Sequence, residues 1–200
     1  MEQLKTQFIL IGILWLVNFG ISWWNSRQVG LVWVQARHIG GPAKFLVWCG
    51  AVMAIIGFSW CFFLVESPIL NALFPQYVTV DVIQAAFAVW YLIAIIPLLG
   101  IGFAFAALSI YQAWERRDAA SIGVAAWNTF ADVHNAAEAI HGVPAAFKVV
   151  GDAFKNKNAA ALVVVGLLAL SAIVLATLLT FAIINHYAGR RELNRPDFSE

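Results

Sequence analysis

Four stretches of this chain, residues 8–24, 45–65, 82–114 and 159–185, contain no Asp, Glu, Lys, Arg or His. As helices rising about 1.5 Å per residue they extend roughly 26, 32, 50 and 40 Å, each able to cross a hydrocarbon core of about 30 Å. The expected fold class is therefore an all-α integral membrane protein: four transmembrane helices with an amphipathic helical connection between the third and the fourth. Hydrophobic residues at 62% and charged residues at 12% exclude an ordinary water-soluble domain. The crossings consume about half of the 200 residues. That leaves one helical membrane domain over 1–200, with 115–158 as an amphipathic extramembrane or interfacial connection.

Twelve basic against eleven acidic side chains give a formal charge of +1, without the basic footprint of a nucleic-acid partner. Cys49 and Cys61 fall on one predicted helix, about 18 Å apart along its axis, and cannot bridge within it. Small apolar packing is their expected role. The first run passes for a signal-peptide core after Lys5, but it continues through Trp23-Trp24 without a nearby Ala-x-Ala pattern and is read as a retained crossing.

Helix one is expected to leave the membrane at Trp23-Trp24-Asn25, with Asn18 as its interior polar group bonding to another helix. The mixed segment between Gln28 and Ile39 reads as an interfacial helix or loop. Gly40-Gly41-Pro42 should interrupt the chain before helix two, and Glu66-Ser67-Pro68 should end it. Pro97 is expected to kink helix three, and Gly100 and Gly102 permit close approach or bending, which makes Pro97, Gly100 and Gly102 the candidate hinge. On helix four Ala172, Ala176 and Thr180 recur every fourth residue, a slender face for close packing within the chain or against a neighbouring subunit.

Between helices three and four, Ile122, Ala126, Phe130, Val133, Ala137 and Ile140 recur at helical spacing, with Asn128, Asp132 and Asn135 on another face. Gly142-Val143-Pro144 should break this helix. Val143, Phe147, Val150 and Phe154 then form a second stripe on a shorter helix beside Lys148, Asp152 and Lys155. Packing against a partner or against the chain itself is the expected use of these stripes, with Ile122, Phe130, Val133 and Ile140 as docking residues. Their sparse charge argues against a purely electrostatic membrane anchor. Arg116, Arg117, Lys155 and Lys157 are candidates for lipid headgroups.

His134, Glu138 and His141, spaced by four and three, are the candidate metal ligands. Glu-x-x-His supplies half of a carboxylate-bridged two-metal pattern, and no second copy supplies the other half. His38 and His186 stand near predicted boundaries rather than across a cavity, and Cys-x-x-Cys-His is absent, so nothing points to haem. Gly-x-Ser-x-Gly, His-Glu-x-x-His and a glycine-rich phosphate loop are absent as well. No catalytic residue and no specific cofactor is implied.

If all four runs span, both ends lie on one face. The two connections on the opposite face, 24–44 and 114–158, carry eight Lys and Arg residues against four on the terminal side. This favours termini on the non-cytoplasmic side of an inner or plasma membrane, with Arg190-Arg191 opposing it. The function expected is that of a noncatalytic accessory or scaffold subunit of a multisubunit membrane complex. Its partners are membrane lipids and other membrane subunits, or further copies of itself. A small oligomeric channel or transporter is the second reading, and an enzyme accessory subunit sharing a metal site with a partner is the third.

Overall fold

The structure, a computed structural model, describes residues 2–39, 41–156 and 159–193, with side chains over 9–33, 44–155 and 159–190. Five helices account for nearly all of it: α1 (Glu2–Ile39), α2 (Gly41–Leu73), α3 (Val80–Arg116), α4 (Ala119–Asn156) and α5 (Ala159–Leu193). Four of them carry segments long and apolar enough to cross a membrane: Ile9–Trp33, Lys44–Leu73, Val80–Arg116 and Ala159–Arg190. The all-α membrane fold is thus present, with α4 as the amphipathic connection. The chain divides into two compact units, residues 1–69 with 170–200, and residues 70–169.

In the first unit, α1, α2 and the later part of α5 are held by small side chains and a few hydrogen bonds. Asn18 Nδ2 donates to the Gly57 carbonyl at 3.0 Å and Trp15 Nε1 to the Cys61 carbonyl at 2.9 Å. Gly57 leaves room for Ser22, whose hydroxyl occupies the place a Cβ would take. Gly30 meets the backbone of α5, since a Cβ there would stand 2.6 Å from the Ile184 carbonyl oxygen. Phe58, Ala176 and Ile183 form a buried cluster, with Phe19, Ile55 and Phe62 against it. The expected interhelical role of Asn18 is realised, and Cys49 and Cys61 are buried free thiols.

Helix boundaries depart from expectation in three places. α1 continues to Ile39 instead of ending at Trp24, because the segment after Asn25 contains no proline and α1 Gly30 packs on α5. α2 runs through Pro68 to Leu73, where Phe74, Tyr77 and Val78 make the closing turns and Asn71 Nδ2 donates to the Val78 carbonyl. Third, α4 is one helix of 38 residues and continues through Gly142-Val143-Pro144. Gly142 lies against the Tyr91 ring of α3, and buried Ala139 and Ala146 flank it, so packing on α3 holds the helix course across the proline. Pro97 likewise sits inside a continuous α3.

The second unit is built on an antiparallel α3–α4 pair joined by two residues. Arg117 takes a left-handed conformation, φ 53°, with its N–H on the Ala113 carbonyl, and closes α3. Asp118 opens α4: its carboxylate accepts from the Ser121 N–H and the Ser121 hydroxyl, both at 2.8 Å. The α4 face turned to α3 carries buried Ala125, Ala139, Ala146 and Ala153, with half-buried Asp132 in the same seven-residue series. Asp132 itself fills the space beside Gly102, where a Cβ would stand 2.6 Å from its Oδ1.

Gly30→Ala should lower stability in detergent by about 1–3 kcal/mol, because the obstacle is backbone that cannot move aside. Gly123→Ala, with nothing within 4 Å, should be neutral or stabilising by up to about 1 kcal/mol; equal effects in thermal unfolding would refute the assigned contacts. A second check follows from Asp118, whose carboxyl is held below the usual range chiefly by the Ser121 N–H and then by its hydroxyl. That stabilisation is complete above the ordinary Asp value of about 3.9 and is lost as pH falls through the lowered one. Hydrogen-exchange protection at the start of α4 should drop there, and Asp118→Asn should remove the pH dependence.

Candidate functional site

His134, Glu138 and His141 share one exposed flank of α4. The His134 ring stacks on Phe130, 6.3 Å between centroids and 9° between planes. Among the described residues no three His, Cys, Asp or Glu side chains gather as a metal-ligand group. The candidate trio is therefore a line along a helix, with no second helix bringing ligands across to it.

Ile122, Phe130, Val133 and Ile140 are uncovered, at 55%, 65%, 63% and 71% exposure, and Phe147 and Phe154 continue the line. The opposite holds for Ala172, Ala176 and Thr180. All three are completely buried within the chain, the intramolecular one of the two uses that their spacing allows. Small side chains let a helix come close, and in the first unit that approach is already used inside the chain, with Ala176 against Phe58 and Ile183. Of the candidate hinge, Gly102 serves as a berth for Asp132, while Gly100 faces open space. Arg116, Arg117 and Lys155 are exposed, with the Arg117 guanidinium 5.7 Å from the Trp114 ring, and Lys157 lies outside the described residues.

Polar groups inside the first unit form a seam that sequence reasoning saw only at Asn18. Ser22 donates to the Asn18 carbonyl and Ser26 to the Ser22 carbonyl, both in helical back-bonds of 2.8 and 2.9 Å. Farther along, the Ser171 hydroxyl of α5 donates to Glu66 Oε1 of α2 at 2.9 Å. Glu66 reads from sequence as the end of a crossing. In the structure it lies within the candidate span Lys44–Leu73 because α2 passes through Pro68. The signal that would have found it is Pro68 itself, since proline is tolerated in membrane helices when neighbours satisfy the freed backbone.

Elsewhere in the first unit a small cleft of about 110 Å³ is lined by Val29, Trp33, Val47, Trp48, Phe181 and Asn185. Trp48 meets Trp33 and Phe181 edge-on, at 5.9 and 6.2 Å between centroids. One amide and aromatic walls offer no general base or nucleophile. Arg27 stands over Trp24 and Tyr187, at 5.2 and 5.6 Å, tying α1 to α5. What these arrangements do chemically is hold helices together. No protein-family model matches the chain, and neither a curated protein nor a solved structure is detectably similar to it.

Among the described residues two buried hydroxyls, Thr180 Oγ1 and Tyr91 Oη, make no hydrogen bond. A buried unpaired hydroxyl costs about 1–3 kcal/mol, so Thr180→Val and Tyr91→Phe should each leave the fold intact and raise the unfolding midpoint. A fall in the midpoint for both would show that these hydroxyls have partners in the membrane.

Proposed function

We propose that the chain is a noncatalytic accessory or scaffold subunit that joins a larger membrane assembly by helix docking. The observation that supports this is the turn of α4. It spends its narrow small-residue face on α3 and leaves His134, Glu138 and His141, on the flank beside the exposed Ile122, Phe130, Val133 and Ile140, without cover from its own chain. An uncovered ionisable flank on a helix of a membrane protein calls for a protein neighbour. The first unit supports the same role: Trp15, Asn18, Ser22 and the Glu66–Ser171 pair are engaged in helix–helix and back-bonded contacts.

Gentle extraction followed by native mass spectrometry should show stoichiometric non-self subunits bound to this chain. A stable isolated monomer would count against the proposal. Reproducible solute or ion flux in liposomes containing only this protein would instead favour the channel reading.

A further inference from the structure

We infer that α4 crosses the membrane alongside α3, as a fifth crossing added to the four apolar helices, with its outer Ile and Phe stripe against lipid acyl chains. Depth follows from register. Asp132 faces Gly102 and Tyr91 faces Gly142, two contact points about 16 Å apart along α3. The helices therefore run side by side in opposite directions through the interior of the candidate span Val80–Arg116. Carried along, that register sets Glu138 level with Ile96 and Ile140 level with Ala94. Ile96 and Phe103 are 75% and 71% exposed on α3, and the medium that surrounds them surrounds Val133 and Ile140 too.

The rotation of α4 about its own axis agrees. In water, a helix with a Phe/Ile stripe and an Ala/Asn/Asp stripe buries the first, because each large apolar side chain gains free energy on leaving solvent. α4 buries the second. Against acyl chains the large side chains gain nothing by hiding, and the small-residue seam is what permits close approach.

Charge sidedness carries the inference independently. With α4 crossing, the α1–α2, α3–α4 and C-terminal segments share a face. Among the described residues, that side of the chain order carries Arg27, Arg37, Arg116, Arg117, Arg190 and Arg191, six of the seven arginines of the sequence, together with Lys44. Lys5 and Lys155 belong to the other side, with Lys148 on α4 nearest it. Four crossings would split the arginines; five place them together, and the positive-inside rule makes theirs the cytoplasmic face. The N-terminus is then outside and the C-terminus inside.

An ionisable group at mid-depth is costly against lipid, and Glu138 does not lie in the stripe but on the flank with His134 and His141. On the docking reading, that flank meets the partner and the stripe meets lipid. Only this last assignment rests on the proposed function.

Impermeant maleimide labelling of Ala120→Cys and Asn158→Cys, in a Cys49→Ala/Cys61→Ala background, tests the crossing on intact cells. Asn158→Cys should label from outside and Ala120→Cys only after permeabilisation. Labelling of both from one face overturns the inference, whatever native mass spectrometry shows about partners. Short epitope tags at the same positions in the native cysteine background give the same readout if the alanine background does not fold. Nitroxides at Val133 and Ile140 should collide with dissolved oxygen in preference to an aqueous nickel chelate, and the reverse preference also overturns it.

Discussion

Hydrocarbon removes the ordinary reason for helices to associate. A leucine or phenylalanine gains nothing by turning from a lipid tail to another helix, so association depends on how closely backbones approach and on the few hydrogen bonds that close approach permits. The contacts in both units have this character. Gly30 lets α1 reach the Ile184 carbonyl, Gly57 accommodates Ser22 while its own carbonyl accepts from Asn18, and Gly102 accommodates Asp132. Many large side chains remain outside: Ile96, Phe103, Leu167 and Leu178 are all well exposed.

The same constraint explains which parts of the fold could be read from the chain. Charge-free runs announce themselves, because no polar residue interrupts them over a membrane thickness. Asn18 was legible for the same reason, as a lone amide in such a run. The seam of α4 was not. Its periodicity is carried by Ala125, Asp132, Ala139, Ala146 and Ala153, and alanine contributes little to any hydrophobic pattern beside Ile122 and Phe130. The large residues dominate the pattern, while burial follows the alanine series. Prolines misled in a related way. Pro68 and Pro144 are helix breakers in water, yet both sit inside helices here, and the continuity of α2 through Pro68 is what brings Glu66 into a span and opposite Ser171.

For function, the arrangement separates what is already used from what is free. From sequence Ala172, Ala176 and Thr180 suit their own chain and a neighbouring subunit equally; in the structure all three are buried, Ala176 in the Phe58 cluster of the first unit. His134, Glu138 and His141 looked like ligands, and they are spread along one exposed helix flank. Spacing alone could not distinguish these outcomes, since a face suited to packing is equally suited to self and to partner, and a ligand set needs a second element to complete it.

The turn at Arg117 and Asp118 has a bearing on how the protein is made. Two residues, one left-handed and one capping, leave no slack between α3 and α4, so the pair presents itself to the insertion machinery as a single hairpin. The strongly apolar α3 then escorts a helix whose own composition would not commit it to lipid, with the side chains of the Asp132 seam already shielded on entry. Lengthening that turn would uncouple the escort from its passenger without altering a single packing residue, and the order of membrane entry, more than the final contacts, would bear the consequence.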